Sequence, residues 1–307
     1  MVRIFGPIVG LGFVAALLLS LGSGVISTFN DPPAATAEQL FHKESRELAL
    51  ASNGLAGTFD NRQLQRGFQV YSEVCSACHS LKYVAFRDLR QLGYTENEVK
   101  KIAADWKTPV PSINPETGEP ATRKATPADH FPSPFANETA ARAANNNALP
   151  PDLSLMTKAR EGGPAYVYSL VTGYQAQPAA LLKQFPDART PTGLYYNPYF
   201  ANLNIAMPPP LVSDGQVSYA DGTKSTTHQM ASDVAAFLVW TAEPNLARRH
   251  AIGYPVILYL LVATVLGFMA YKNIWAGVKG KPPEPAPAPM PEPVAAAPKR
   301  RSRKKTS

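Results

Sequence analysis

The chain of 307 residues is 45% hydrophobic and 17% charged, a balance that excludes an intrinsically disordered protein and suits a folded body with membrane segments. Its net charge of +7 comes from the C-terminal end, because residues 4–271 contain twenty basic and twenty-one acidic side chains. A nearly neutral body with a basic tail lacks the basic face of a nucleic-acid-binding domain, so no nucleic-acid partner is predicted.

The chain begins with an apolar segment, residues 1–28, that predicts a signal peptide or an N-terminal anchor helix. Residues 4–26 carry no charge and Arg3 precedes them, as in a secretory signal. The stretch is long for a signal, and the A-x-A-like cleavage sequence lies farther on, at residues 35–37. Both alternatives stay open, and both place the following body on the far side of a membrane.

The body, residues 29–250, is predicted to be mainly helical. Apolar residues recur at helical spacing in three segments, 63–74, 96–106 and 230–242. Shorter helical pieces are predicted at 82–92, 152–160 and 165–170. Thr95 is a candidate N-cap, with Glu98 three residues on. Recurrent Pro, Gly and Asn predict long irregular loops over residues 107–149 and 175–225.

Residues 251–272 predict a transmembrane helix. Within them, residues 252–271 contain no charged side chain, and a helix of that length spans roughly 30 Å, the hydrocarbon thickness of a bilayer. Nine Lys and Arg follow this segment, so the positive-inside bias places the C-terminus in the cytoplasm. The alternative is a buried core helix, although a segment that is apolar on all sides suits lipid better.

The C-terminal tail, residues 273–307, has a different composition from the rest of the chain. Prolines alternate with Ala and Glu over residues 282–298, which predicts an extended, semi-rigid spacer rather than a folded domain. The basic cluster at residues 299–305 is interpreted either as a topology signal or as a binding site for anionic lipid headgroups.

The two cysteines of the chain form one local motif, Cys75-Ser76-Ala77-Cys78-His79, which is the C-x-x-C-H signature of covalent haem attachment. On a helical turn, Cys75 and Cys78 face the same way, so both sulfurs can reach the vinyl groups on one edge of a porphyrin, with His79 beneath the iron. A zinc site would need four ligands, and a thioredoxin-like redox pair would need a βαβ context. Haem attachment is therefore predicted.

The second axial ligand of the iron has to come from another part of the chain, and methionine and histidine are the usual candidates. Met207 precedes three prolines, which hold the backbone extended and stiff, as a loop presenting one thioether requires. Met156 and Met230 lie in predicted helices and are expected in the core. The rival histidines remain open: His42, His130, His228 and His250.

Four residues predict how the body closes: Gly67 and Tyr71 on its first long helix, and Phe237 and Trp240 on its last. A glycine on one helix allows an aromatic-bearing helix to cross at close range. Small cytochrome c folds close in this way, and ordinary core packing is compatible with it.

Beyond the motif, six segments in order resemble the cytochrome c1 family, the haem subunits of the ubiquinol–cytochrome c reductase (cytochrome bc1) complex. These segments are residues 75–89, 140–156, 162–174, 193–200, 205–211 and 233–255. The resemblance implies a mainly α fold, with a cytochrome c-like haem domain that carries long loop insertions and is anchored by one C-terminal transmembrane helix. The chain departs from the family at Asn147, where glycine is common.

The resemblance also implies roles for individual residues. Met207 corresponds to the axial methionine and Arg142 to an arginine associated with a haem propionate. Pro151 and Leu153 correspond to the wall of the haem pocket, and Tyr195 lies in a segment near the haem. One haem c, bound through the two cysteines, is the expected cofactor.

The function implied is the transfer of single electrons from a Rieske iron–sulfur protein to a cytochrome c, in the respiratory quinol–cytochrome c reductase. The chain would be an electron-transfer subunit without an acid/base or nucleophilic site, partnered by cytochrome b in a dimeric complex. It would lie in a bacterial inner membrane with its haem domain in the periplasm. The alternatives are a membrane-tethered electron shuttle and the cytochrome subunit of a periplasmic dehydrogenase.

Overall fold

A computed structural model describes residues 2–32 and 34–279 of the chain. Within these residues the helices are α1 (Val2–Asn30), α2 (Ala37–Phe41), α3 (Asn61–Glu73), α4 (Glu96–Ala104), α5 (Glu138–Ala144), α6 (Met156–Ala159), α7 (Gly163–Val171), α8 (Ala179–Gln184), α9 (Thr227–Ala242) and α10 (Leu246–Lys279). The strands described there form two antiparallel pairs, β1 (Val110–Ile113) with β2 (Pro120–Arg123) and β3 (Tyr195–Tyr196) with β4 (Asn204–Ile205). The predicted mainly helical class is confirmed.

The body is built around the crossing of α3 and α9. The Asp60 side chain caps α3 by accepting hydrogen bonds from the backbone N–H groups of its first turn. Gly67 lies where the two helices touch: a Cβ atom there would sit 2.1 Å from the carbonyl oxygen of Asp233 and 2.7 Å from the Cβ of Phe237. Only glycine fits at that distance, so the predicted close crossing is confirmed.

An ion pair bridges the same two helices. The Arg66 guanidinium on α3 donates from Nε to the buried carboxylate of Asp233 on α9 at 2.9 Å. A second nitrogen, Nη1, donates to Asp221 in the preceding loop at 2.7 Å. Asp233 is fully buried, and a buried carboxylate needs a partner of this kind to remain charged. The pair therefore ties both helices to the loop before α9.

Aromatic rings fill the core beside this crossing. Phe68 and Tyr71 on α3 lie within 6.4 Å of the Trp106 ring, and the Phe131 ring lies 4.9 Å from Trp106. Phe237 of α9 packs 5.8 Å from Tyr71. Such ring pairs contribute packing area and directional contact. They hold rigid the C-terminal end of α3, from which the cysteine motif follows directly.

The sequence-based boundaries hold for the long helices and fail for some short ones. Thr95 caps α4 and Glu98 completes a capping box, as predicted. The segment 82–92 is helical only as a 3₁₀ turn over Phe86–Leu92. The predicted helix over 152–160 was wrong in its first half, where the Asp152 carboxylate accepts from Lys82 N and Ser154 N, so the backbone leaves the helical path.

The two segments expected to be irregular contain some regular structure. The region 107–149 holds the β1–β2 hairpin, in which Val110 pairs with Arg123 and Ile113 with Pro120, followed by α5. The region 175–225 holds α8 and the β3–β4 pair. These elements are two to seven residues long, too short for a period to be read from the sequence.

Two of the described helices are long and apolar enough to cross a membrane, over Phe5–Asn30 and Leu246–Gly277. The second contains the predicted transmembrane segment and extends beyond it at both ends. The contacts within the chain divide it after His250 into two units. The proline-rich basic part of the tail, from residue 280 onwards, lies outside the described residues.

Candidate functional site

The cysteine motif forms a tight turn at the end of α3. Residues Cys75–Ala77 are a 3₁₀ turn, and the backbone N–H groups of Cys78 and His79 both donate to the carbonyl oxygen of Cys75, at 3.1 and 2.9 Å. Tyr71, buried in the core, donates its hydroxyl to the His79 carbonyl oxygen at 2.9 Å. The motif is thus held by hydrogen bonds within its own backbone and by one from Tyr71 in the core. These bonds fix the backbone from which its side chains project.

Both thiols are free, with Cys75 partly buried and Cys78 exposed. Burial raises the pKa of Cys75 to about 12, and the nearby Cys78 adds to the effect. Partial desolvation also raises the pKa of the more exposed Cys78. The surroundings of both thiols therefore favour the protonated form.

The His79 ring is oriented by a single backbone group. Its Nδ1 atom lies 2.8 Å from the carbonyl oxygen of Pro151, and a carbonyl only accepts, so Nδ1 carries the proton. Burial lowers the pKa of His79, which keeps the ring neutral. The Nε2 atom is then left with a free lone pair, the state in which histidine binds a metal and is oriented by a second partner.

The loop that supplies this carbonyl is anchored beside the motif. The Asp152 carboxylate accepts from the Ser80 hydroxyl and from Lys82 N, both at 2.8 Å. The Leu153 backbone N–H donates to the Ser80 carbonyl at 2.9 Å, and its side chain is buried in the core. The position of the Pro151 oxygen is therefore set by contacts on both sides of it.

Met207 lies two residues after β4, which pairs with β3 so that Tyr195 stands opposite Ile205. Its side chain is partly buried, and its carbonyl oxygen accepts from the Tyr174 hydroxyl at 3.0 Å. By contrast, Met156 and Met230 are buried in the hydrophobic core, as expected. Among the described methionines of the body, Met207 is the one presented outside that core.

A chain of contacts connects the His79 side of the site with the Met207 side. The Asn146 side chain, in the loop that leads to Pro151, donates to the Gly193 carbonyl oxygen at 3.0 Å. Two residues later, Tyr195 packs edge-on against Tyr174 with ring centroids 6.4 Å apart. Tyr174 in turn holds the Met207 carbonyl. The two predicted ligands therefore belong to one connected set of loops.

The other predicted residues lie around this set of loops. Arg142 is exposed on α5, and its Nη1 atom donates to the Asn147 carbonyl oxygen at 3.1 Å. Tyr195 is partly exposed. Asn147 has φ of 61°, in the left-handed region that glycine adopts without strain and Asn tolerates. This backbone explains why Asn stands in a position where glycine is common.

The rival histidines have other surroundings. The Nδ1 atom of His228 lies 2.9 Å from the Tyr168 hydroxyl, and that of His250 lies 2.9 Å from the Gly57 carbonyl oxygen. His42 ends α2 on the surface, and His130 pairs through its backbone with Ala85. None of the four has a described contact with the loops around Met207.

One residue of the site was missed in the sequence. Tyr174 lies in a segment that resembles the family, but nothing in its spacing from Met207 indicated a contact, because the two residues are 33 positions apart. The sequence showed only that Tyr174 follows Gly173, shortly after a predicted helix, and this pattern does not indicate a partner.

The donor set fits a haem better than a zinc ion. Two thiols beside an imidazole with a free Nε2, together with one thioether on the loops connected to them, are the groups that covalent attachment and His/Met ligation of haem require. In the part of the chain that the structure describes, no group of three or more His, Cys, Asp or Glu side chains is arranged to hold a metal ion directly. The motif residues thus do not converge on one point as zinc ligands do.

Comparison with known proteins agrees with this donor set. The family model described as the Cytochrome C1 family matches residues 50–278. Cytochrome c1 of Rhodospirillum rubrum is 47% identical over 241 residues, which cover 74% of this chain and 85% of that protein. The mitochondrial cytochrome c1 haem protein of Saccharomyces cerevisiae is 44% identical over 231 residues, 75% of this chain and 72% of that protein.

A third relative, the cytochrome b/c1 protein of Bradyrhizobium diazoefficiens, is 44% identical over 238 residues. These residues are 73% of this chain but 34% of that longer protein. The match to the family model and the coverage of the first two relatives lead to one conclusion. The chain belongs to the cytochrome c1 family, the membrane-anchored c-type haem subunits of the cytochrome bc1 complex in electron transport.

Proposed function

We propose that the chain accepts single electrons from a Rieske iron–sulfur protein and passes them to a cytochrome c, within the ubiquinol–cytochrome c reductase of a respiratory chain. The observation that carries this proposal is the 2.8 Å contact between His79 Nδ1 and the Pro151 carbonyl oxygen. It leaves Nε2 free, so His79 would supply one ligand to a haem iron, and Met207 is the proposed second ligand.

The haem, when bound, supplies the one-electron redox step, and the chain sets its potential and position. Ligation by His79 and Met207 favours a relatively high potential, as the exit side of a quinol-oxidising complex requires. Electron transfer makes and breaks no covalent bond, so this chain needs no general acid, base or nucleophile. The reductase activity belongs to the complex, of which this chain is the electron-transfer subunit.

One haem c is attached through Cys75 and Cys78 in this proposal. Each thiol would add across one vinyl group of the haem, with its sulfur and its hydrogen both ending on the former vinyl carbons, so no group would leave. The protonated state of both thiols, which burial favours, is consistent with addition of S–H across a double bond.

Four further residues are proposed to surround the haem. Pro151 and Leu153 would form one wall, since the first holds His79 and the second is buried directly after the Asp152 anchor. Tyr195 would lie near the opposite face, beside Tyr174. Arg142 would pair with a propionate: one of its N–H groups is used by Asn147, and a guanidinium has five donors.

The proposed placement is a bacterial inner membrane, with residues 29–250 in the periplasm, 251–272 across the membrane and 273–307 in the cytoplasm. The apolar character of α10 and the basic residues that follow it support this orientation. Residues 1–28 would be a signal peptide or a second anchor. The cytochrome b subunit and a dimeric complex complete the proposed assembly.

A reduced-minus-oxidised visible spectrum of the gently extracted native complex tests this function. If b-type haem accompanies c-type haem in fixed proportion and the chain copurifies with both, the subunit role stands. A spectrum with c-type haem alone, from a chain that migrates by itself, would instead support the membrane-tethered shuttle. A chain purified without haem would contradict both.

A further inference from the structure

A side chain outside the predicted ligand set holds the backbone of Met207. The Tyr174 hydroxyl donates a hydrogen bond to the Met207 carbonyl oxygen, with 3.0 Å between the two oxygen atoms. Tyr174 lies three residues after α7, and the two residues are 33 positions apart in the chain. The contact therefore connects a helix of the body to the loop that presents the thioether.

Besides this bond, the loop around Met207 is held at its far end, where Gln216 Nε2 donates to the Pro210 carbonyl oxygen at 2.9 Å. The three residues that follow Met207 are prolines, which have no backbone N–H to donate. Before it, the β3–β4 pair is only two residues long in each strand and ends at Ile205. The hydrogen bond from Tyr174 is thus made at Met207 itself. The short β3–β4 pair lies before it, and the prolines after it cannot donate backbone hydrogen bonds.

Tyr174 is itself held rigidly. At the neighbouring Gly173, a Cβ atom would lie 2.4 Å from the Tyr199 ring and 2.5 Å from the Ser169 carbonyl oxygen, so the chain leaves α7 in close contact with its surroundings. The Asn197 side chain donates to the Leu170 carbonyl oxygen at 2.8 Å, which ties the end of α7 to the loop beside β3. The backbone that leads to Tyr174 is therefore tied closely to the end of α7, and the Tyr174 ring packs edge-on against Tyr195.

We propose that Tyr174 is a positioning residue for Met207: its hydroxyl would hold the Met207 backbone in place so that the thioether can ligate a haem iron. The inference rests on the proposed haem site. Without the hydroxyl, the Met207 segment moves more freely and its sulfur competes less well with an added ligand. Because methionine ligation raises the potential, weaker ligation lowers it.

The test uses the full-length holoprotein and Tyr174→Phe, which removes the hydroxyl and keeps the ring. A net hydrogen bond is worth about 0.5–1.5 kcal/mol, so imidazole added to the ferric protein is expected to bind several-fold, and up to about tenfold, more tightly. The midpoint potential falls, and the ferric charge-transfer band of the methionine–iron bond weakens. Tyr168→Phe is the matched control, because this nearby tyrosine lies on α7 itself and its hydroxyl contacts His228 instead.

The two variants together decide whether Tyr174 positions Met207. Tighter imidazole binding and a lower potential in Tyr174→Phe, with wild-type values in Tyr168→Phe, support the inference. Wild-type values in a haem-containing Tyr174→Phe protein overturn it, and so do equal changes in both variants, which would indicate general loosening of α7. A wild-type chain without covalent haem is a separate failure, because it overturns the proposed haem site itself.

Discussion

The Nδ1 atom of His79 lies 2.8 Å from the carbonyl oxygen of Pro151, a residue 72 positions later in the chain. This one contact sets which ring nitrogen carries the proton and which way the imidazole faces. Two further bonds, from Ser80 and Lys82 to the Asp152 carboxylate, hold the loop that provides the oxygen. The haem motif is therefore completed by a second segment of the chain, and its chemistry depends on that segment staying in place.

Haem attachment through both cysteines is tested on a denaturing gel. We expect the wild-type chain to keep peroxidase-active haem after denaturation and to exceed the mass of its mature polypeptide by one haem. The double variant Cys75→Ala/Cys78→Ala is expected to lose all of it, because no thiol is left to add to a vinyl group. A single-cysteine variant keeps one thioether. Haem that survives denaturation in the double variant would show that another group holds it.

Replacement of Met207 tests the second axial ligand. In Met207→Ala we expect a lower midpoint potential and binding of carbon monoxide by the reduced protein, since the thioether that raises the potential and blocks the sixth position is gone. Met230→Leu is the control: Met230 is fully buried in the core, so the change costs below about 1.5 kcal/mol of stability and leaves the spectrum unchanged. A wild-type spectrum and potential in Met207→Ala would show that Met207 is not the second ligand and would leave the four rival histidines.

The helix crossing at Gly67 predicts a large loss of stability on adding one methyl group. In Gly67→Ala the new Cβ would lie 2.1 Å from the Asp233 carbonyl oxygen, so α3 and α9 must move apart and the Arg66–Asp233 pair is stretched. We expect a loss of about 1–3 kcal/mol or more in the free energy of unfolding, measured by thermal or urea unfolding of the holoprotein in detergent. Gly253→Ala, with no atom within 4 Å of its Cβ position, is the control and is expected to change little.

In the acid range, the free energy of unfolding is also expected to decrease as the pH decreases. Hydrogen bonds from the Thr223 backbone and then from Arg66 lower the pKa of Asp221 to about 2, below its ordinary value, so the unfolded chain binds this proton more readily than the folded one. The contribution is complete above about pH 4 and is lost as the pH falls through 2. Urea unfolding at several pH values measures this slope. Asp221→Asn should flatten it, and an unchanged slope in that variant would assign the effect to other carboxylates.

Much of the architecture could be read from local sequence. The Thr95–Glu98 capping box and the three long helices of the body follow from residues within one or two turns of each other. The close approach at Gly67 was predicted from the residue types on two helices, a glycine on one and aromatic side chains on the other. The boundaries that failed depended on distant partners. Asp152 was expected in a helix, but its carboxylate is used by Ser80 and Lys82, about seventy residues earlier.

The attachment motif and the candidate ligand Met207 could be recognised without a fold, because two thiols and an imidazole at fixed spacing, and a methionine before three prolines, are local chemical patterns. The proton position on His79 and the hydrogen bond at the Met207 carbonyl required the folded chain. Both come from partners 72 and 33 residues away, and no periodicity or propensity carries information over such separations. Packing of α3 against α9, and of the loops around them, brings these partners together.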